Sequence, residues 1–184
     1  MRPDGGPVGR EWHDAVAELR LARAPVNALD PALVAALRER LAAAIDDGAG
    51  AVVISGRPGV FSAGLDLPVL LELAPDELRA FWSGLFGLLE DLARSPVPVV
   101  AAMTGHSAAG GSILALFCDY RIMARGAFRI GLNEVRAGLV VPGVIRGALA
   151  RLVGPYRAER HLLAGELVDP ERAAGIGLVD ELAE

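Results

Sequence analysis

The sequence predicts an α/β fold in which strands and helices form layers around one core. Short apolar runs of strand length alternate with longer segments of helical periodicity, which is the element order of α/β domains. No repeat, low-complexity tract or long linker divides the 184 residues, so one domain over 1–184 is expected. The first ten residues are rich in Gly and Pro and are expected to be flexible.

Local signals place the elements of the first half. Alternating apolar residues predict a strand over Ala15–Arg23, and Asp30 followed by Pro31 marks a helix that runs to about Ile45. The other elements predicted here are the strand Ala51–Ser55, a short helix over Gly64–Leu71, and a longer helix from Pro75 to near Ser95.

The second half continues the same alternation, although the pattern leaves the topology open. The predicted elements are the strand Pro98–Met103, a Gly/Ala loop over Thr104–Gly111, the helix Ser112–Phe117, the strands Tyr120–Ala124 and Phe128–Ile130, and the helices Val144–Val153, Pro155–Ala164 and Pro170–Ala174.

Composition excludes several classes of function. The net charge is −5 and no basic stripe is present, so a nucleic-acid partner is not expected. All 18 positive side chains are Arg, which excludes Schiff-base and Walker-type lysine chemistry. Cys118 stands alone, so disulfide frameworks and cysteine zinc sites are excluded. His13, His106 and His161 lack metal-ligand spacing, and no metal site is expected.

Hydropathy and the N-terminal residues indicate the expected location of the protein in the cell. Hydrophobic residues make up 53% of the chain, but no stretch approaches the roughly 20 apolar residues of a membrane span. The first residues lack the apolar core of a signal peptide. We therefore expect a cytoplasmic protein without a membrane partner. The excess of Ala and Arg is typical of a GC-rich, bacterial genome.

Four collinear segments carry the functional signal. They are PVNALD (Pro25–Asp30), VFSAGLDL (Val60–Leu67), GHSAAGG running into LFCDYRIMA (Gly105–Ala124), and IGLNEV (Ile130–Val135). In this order and spacing they resemble the crotonase superfamily of enoyl-CoA hydratases and isomerases, and the last three are most similar to the Δ3,Δ2-enoyl-CoA isomerases. The resemblance covers nearly the whole chain and implies a layered β-β-α spiral core. Members of the family usually continue beyond the position of Glu184 with a C-terminal helical segment, most of which is absent here.

The resemblance assigns roles to the two glycine loops. A thioester oxygen that becomes negative in the transition state is stabilised by preorganised backbone N–H groups, and Gly/Ala loops leading into helices expose such groups. The resemblance implies that the donors are the N–H groups of Ala63 and Gly110. Tight turns alone also explain the glycines of either single loop. The substrate is expected to contact Ser62, Gly64, Leu65, Asp66, Leu67 and Asn133.

Glu134 is the candidate catalytic carboxylate. It lies among apolar residues, where the charged form of a carboxylate is disfavoured and its pKa rises towards values useful for proton transfer. Its place in IGLNEV matches the glutamate of the family. Asn133 is expected either to position this glutamate or to contact substrate, and Asn27 either serves a turn or joins the site. Asp66 is expected to stabilise the start of a helix, or to act on the substrate side.

The residue two positions after the Gly110-Gly111 pair selects the reaction. Hydratases of this family carry a second glutamate two residues after the pair, and Ile113 stands there. One carboxylate suffices to shift a proton, so isomerisation of a 3-enoyl-CoA to the 2-trans isomer is expected, without a metal or redox cofactor. The resemblance also implies a homotrimer.

Other readings stay open at this point. A hydratase-like reaction, thioester hydrolysis or decarboxylation would use the same scaffold, as would a non-catalytic acyl-CoA-binding protein. A serine hydrolase is a separate alternative, because Ser107 follows a strand in a turn like a nucleophile elbow. Its partners would be Asp119 and His161.

Overall fold

The computed structural model describes residues 6–184. Within this range the strands are Val8–His13 (β1), Val16–Leu21 (β2), Ala51–Ser55 (β3), Gly59–Ser62 (β4), Val99–Met103 (β5), Gly105–Ala108 (β6), Tyr120–Ala124 (β7), Ile130–Gly131 (β8) and Glu181–Ala183 (β9). The helices are Pro31–Asp46 (α1), Leu67–Leu71 (α2), Pro75–Ala93 (α3), Gly110–Leu116 (α4), Gly143–Val153 (α5), Pro155–Ala164 (α6) and Pro170–Gly175 (α7), with a 3-10 turn at Glu134–Ala137.

The strands form two sheets that confirm the α/β prediction. Six strands pair in the order β1-β2-β3-β5-β7-β9, and β1 runs antiparallel to β2 while the other neighbours are parallel. The smaller sheet has the order β4-β6-β8 and is parallel throughout. Since parallel strands need crossover connections, the helices lie between consecutive strands of the large sheet. The small sheet ends at the two glycine loops.

The first helix illustrates how local signals set an element. The Asp30 side chain accepts a hydrogen bond of 2.8 Å from the N–H of Leu33, and Pro31 occupies the first turn, where no N–H is needed. Leu33, Leu37 and Leu41 repeat at helical spacing and are all buried. This apolar face packs against α3 and the β1–β2 hairpin.

Four strands depart from the sequence prediction. Flexible chain was the expectation for residues 1–10, but Val8–Arg10 belong to β1; residues 1–5 lie outside the described range. Gly105–Ala108 is a strand rather than part of a loop, and β4 and β9 also have no counterpart in the prediction. The strand β1 pairs with the neighbouring β2. The strands β4, β6 and β9 are short and pair with strands distant in sequence, which local patterns do not reveal.

The described chain has no helix long and apolar enough to cross a membrane. Cys118 is 2% exposed, as expected for a core residue, and burial raises the pKa of its thiol to about 12.

Candidate active site

The two glycine loops meet at the end of the small sheet. Gly64, just after β4, has a φ of +97°, and a Cβ atom built on it would lie 3.0 Å from the nitrogen of Gly110 at the start of α4. A Cβ on Gly110 would in turn lie 3.2 Å from the Cα of Gly64. A side chain at position 64 would be strained by its positive φ and would crowd the carbonyl of Ala108, and one at position 110 would crowd the first loop. The glycines therefore serve the contact between the loops.

In the first loop, the predicted donor Ala63 is wrong. Its N–H already donates a hydrogen bond of 3.0 Å to the carbonyl of Val26. The N–H of Leu65 has the opposite orientation to that of Ala63. The reason is that Leu65 forms an isolated parallel bridge with Leu29. Leu29 donates to the Gly64 carbonyl at 2.7 Å, and Asp66 donates to the Leu29 carbonyl at 2.9 Å.

This bridge leaves the N–H of Leu65 free. In a parallel bridge, one residue uses its own N–H and C=O, and the other is bonded through its two neighbours. Leu65 is the second kind, so its own N–H points away from Leu29. Accordingly, the structure of residues 6–184 contains no hydrogen-bond acceptor for the Leu65 N–H. The available amide of this loop is that of Leu65.

In the second loop, the N–H of Gly110 is available for a helical reason. Gly110 is the first residue of α4, and first-turn amides have no intrahelical acceptor. The preceding Ala109 offers no side-chain cap. A Cβ on Gly110 would lie 3.3 Å from the nitrogen of Leu65, so the two amide nitrogens lie within about 6 Å of each other. Two amides at this separation are close enough to donate to one oxygen atom between them, as an oxyanion hole requires.

Glu134 is a buried carboxylate without a partner. It opens the 3-10 turn, is 8% exposed, and neither side-chain oxygen has a hydrogen-bond donor within the described residues. Burial raises the pKa of Glu134 above that of an ordinary glutamate. No other charged side chain contributes to the shift.

The small sheet brings Glu134 to the glycine loops. Ala108 of β6 pairs with Gly131 of β8, and the N–H of Ala109 donates to the Gly131 carbonyl at 2.9 Å. Glu134 follows three residues later, so its Cα lies within about 10 Å of Gly131. The predicted base, Glu134, thus follows the end of β8, and the Gly110 amide follows the end of the neighbouring strand β6.

Ile113 occupies the position of the second hydratase glutamate. It lies in the first turns of α4 and is 5% exposed, so it contributes apolar surface to the core. An isoleucine neither binds nor deprotonates water. Glu134 therefore has no carboxylate partner at this position.

Asp66 has a structural role. Its carboxylate accepts a hydrogen bond from the N–H of Val69 at 3.3 Å, which caps α2, and it pairs with Arg23 at 2.7 Å. Arg23 also pairs with Asp30, the cap of α1, at 2.8 Å. A substrate contact through the Asp66 carboxylate is not supported, because that group is already engaged. No sequence pattern predicts this role of Arg23, because Asp30 and Asp66 come together only in the folded chain.

A substrate contact through the Ser62 hydroxyl is not supported either. It is fully buried, and its hydroxyl donates to the Asn27 carbonyl at 2.7 Å and accepts from the Gly64 N–H at 3.2 Å. Asn27 is also buried, with a φ of +50°, and its amide donates to the Phe61 carbonyl at 2.9 Å. These two residues stabilise the first loop through hydrogen bonds on its buried side. A turn role for Asn27 is confirmed.

The other predicted contact residues differ in accessibility. Gly64 is buried, Leu65 and Asn133 are half-buried, and Leu67 is exposed at the start of α2. The Asn133 side chain makes no cap hydrogen bond to the turn that follows it. Contacts with substrate stay predictions for these four residues.

The serine hydrolase alternative fails on geometry. Ser107 is fully buried, and its hydroxyl has no partner among the described residues. Asp119 accepts a hydrogen bond from the N–H of Val99 at 2.8 Å, and His161 lies 3.6 Å from Glu166. A nucleophile needs access to substrate and a hydrogen-bonded base, and Ser107 has neither.

One side-chain cluster was not foreseen. Glu11, His13 and Glu18 lie on the β1–β2 hairpin with potential ligand atoms within 4.8 Å of one another. Glu18, however, also accepts hydrogen bonds from Arg20 at 2.9 and 3.0 Å and one from Ser55. The Arg20 guanidinium already supplies positive charge there, so these residues form an ion-pair network.

Comparison with known proteins agrees with the fold and the loops. Residues 11–183 match the family described as enoyl-CoA hydratase/isomerase. The chain belongs to this family. The crystal structure of human mitochondrial Δ3,Δ2-enoyl-CoA isomerase superimposes with a TM-score of 0.92 at 35% identity, covering 96% of this chain and 70% of the human one. The predicted crotonase fold is thereby confirmed.

Related sequences carry both isomerase and hydratase names. Rat mitochondrial enoyl-CoA delta isomerase 1 is 35% identical over 178 residues, which cover 95% of this chain and 62% of the rat protein. A probable enoyl-CoA hydratase, EchA17, of Mycobacterium tuberculosis is 34% identical over 171 residues, covering 91% of this chain and 64% of the relative. The chain thus spans less than two thirds of the length of these relatives.

Proposed function

We propose that this chain isomerises a 3-enoyl-CoA thioester to the 2-trans-enoyl-CoA. The observation that carries the proposal is the buried Glu134 carboxylate, which has no partner and lies on the segment that pairs beside the Gly110 amide. A carboxylate of raised pKa suits proton transfer in both directions. The two free amides supply the complementary charge stabilisation.

The chemistry balances with one carboxylate. Glu134 removes a proton from C2, which the thioester acidifies, and the electron pair moves into the thioester carbonyl to give a dienolate. The N–H groups of Leu65 and Gly110 donate hydrogen bonds to its oxygen. The Glu134 carboxylic acid then returns the proton at C4, and the double bond moves from C3–C4 to C2–C3. No metal or redox cofactor enters these steps.

Ile113 favours isomerisation over hydration. Adding water across the double bond requires a group that orients and deprotonates water, and the family position for it holds an apolar side chain. The hydratase names of several relatives keep hydration as the alternative to be measured. A homotrimer and a cytoplasmic location are further parts of the proposal, and sedimentation analysis and cell fractionation would check them.

A panel of acyl-CoA esters tests the proposal. Purified protein is given 3-enoyl-CoA and 2-enoyl-CoA substrates, and isomer formation, hydration and free CoA are followed. Isomer formation is expected, with a loss on the order of 10²-fold or more in Glu134→Gln, because the proton acceptor is removed. Glu159→Gln, an exposed glutamate on α6, is the matched control and is expected to match the wild type. Full activity in Glu134→Gln would remove Glu134 from the mechanism.

A further inference from the structure

The hydroxyl of Ser112 links the oxyanion helix to the segment that carries Glu134. Ser112 is the third residue of α4, two residues after Gly110, and is 2% exposed. Its Oγ donates a hydrogen bond of 2.6 Å to the carbonyl of Ser107 in β6. The same oxygen accepts a hydrogen bond of 3.0 Å from the N–H of Gly131 in β8. One atom therefore contacts both strands that end at the site.

The other hydrogen bonds of β8 join it to β6 and to Val168. It consists of two residues and is held to β6 through its two paired positions and the hydrogen bond from Ala109. On its other side, Ile130 exchanges two hydrogen bonds of 2.9 Å with Val168. Within residues 6–184, the hydrogen bond between Ser112 and Gly131 is the side-chain hydrogen bond that joins α4 to β8.

Gly131 has no side chain with which to fix its own position. Its φ is +151°, and a Cβ atom on it would lie 2.4 Å from the carbonyl oxygen of Glu166. The backbone N–H of Gly131 is therefore the group through which α4 can hold this segment. A serine hydroxyl fits this position because it donates and accepts at once.

We propose that Ser112 is a positioning residue, which sets the distance between the Glu134 carboxylate and the Gly110 amide. The inference rests on the proposed function, because it assumes that both groups act on one substrate. The helix α4 carries the amide, and β8 leads within three residues to Glu134. Displacement of a reacting group by about 1 Å costs up to about 10²-fold in rate.

Two variants of Ser112 and one matched control test the proposal. Ser112→Ala removes both hydrogen bonds, and Ser112→Cys keeps a side chain of similar shape with a weaker donor and acceptor. Ser107→Ala is the control, because it deletes a hydroxyl that is buried in the same ladder and has no partner among the described residues. Isomerase kinetics, melting temperature and amide hydrogen exchange are measured for each.

Ser112→Ala is expected to lower kcat roughly 10- to 100-fold with KM changed less than about threefold. Ser112→Cys is expected to fall between Ala and wild type, and Ser107→Ala to match wild type. Exchange of the amides at Gly131 and Glu134 is expected to accelerate in Ser112→Ala alone. The proposal is overturned if Ser112→Ala retains wild-type kcat. It is equally overturned if kcat, KM and melting temperature change together, as in general destabilisation.

Hydrogen exchange separates this inference from the proposed function. If the wild type isomerises none of the CoA esters, the proposed function fails. The positioning role then stands or falls on exchange alone. Faster exchange at residues 131–134 in Ser112→Ala but not in Ser107→Ala supports it, and equal exchange in the two variants overturns it.

Discussion

A Cβ atom on Gly64 would lie 3.0 Å from the backbone nitrogen of Gly110, so the two glycine loops touch through their backbones. The same Cβ would lie 2.9 Å from the carbonyl oxygen of Ala108. These distances leave no room for a side chain. The separation of the free amides of Leu65 and Gly110 therefore depends on glycine at position 64.

Gly64→Ala is expected to lose both stability and activity. Its positive φ of +97° makes any side chain strained, at about 1–3 kcal/mol of unfolding free energy. The added methyl group also displaces the Gly110 amide, so kcat for isomerisation is expected to fall at least about tenfold. Gly59→Ala is the matched control, because its φ is +85° but nothing lies within 4 Å of the added atom. Urea unfolding and isomerase kinetics of the two variants would check this, and equal kcat values would contradict it.

Glu134→Gln is expected to stabilise the fold at neutral pH. Burial raises the folded-state pKa of Glu134 above its unfolded value, so ionisation costs stability as pH rises above the unfolded value. This cost is complete once pH exceeds the folded pKa. The neutral amide avoids it, so Glu134→Gln is expected to have a higher free energy of unfolding than the wild type at pH 7.5.

The pH dependence separates this effect from general changes in packing. Below the unfolded pKa the carboxyl is protonated in both states, so the gain of Glu134→Gln over wild type should vanish there. Urea unfolding at pH 7.5 and near pH 4 measures the difference, with the exposed Glu159→Gln variant as the reference. A stability gain of the same size at both pH values would show that the carboxylate charge is not its cause.

The rate of isomerisation should report the same raised pKa. Glu134 acts as a base in its ionised form, so kcat/KM is expected to fall as pH decreases through the pKa of Glu134 in the free enzyme. Because burial raises this pKa, the midpoint should lie above the ordinary glutamate value of about 4.3. A pH–rate profile measures it. A midpoint at or below the ordinary value would mean that water or a cation stabilises the carboxylate in solution.

Much of the fold follows from local sequence signals. Asp30 and Pro31 mark the start of α1, and Ala51–Ser55 was identified as a strand from its short apolar run. By contrast, Gly105–Ala108 resembles a loop in composition and becomes a strand only through pairing with β4 and β8. This strand is stabilised by pairing with residues far away in sequence, so a local sequence pattern does not predict it.

The candidate site, like the fold, is predicted from the sequence only in part. Glu134 was identified from its motif and its apolar neighbours, and the structure places it buried beside the loops. The choice of Ala63 was wrong because the direction of an amide depends on its hydrogen-bond partner. Leu29 pairs with Leu65 and Val26 accepts from Ala63, and both contacts exist only in the folded chain. The folded chain thus leaves a different amide of the same loop free, that of Leu65 and not that of Ala63.

Hydration of 2-enoyl-CoA is expected to be at least about 100-fold slower than isomerisation of 3-enoyl-CoA, because general base catalysis of water attack would need a second group at position 113. Ile113 is buried and apolar there. Ile113→Leu preserves this character and is expected to leave both rates unchanged. Comparable rates of hydration and isomerisation in the wild type would contradict the prediction. In that case Asp66→Asn decides whether Asp66 supplies the second acid, since its carboxylate would have to leave Arg23 and the α2 cap to do so.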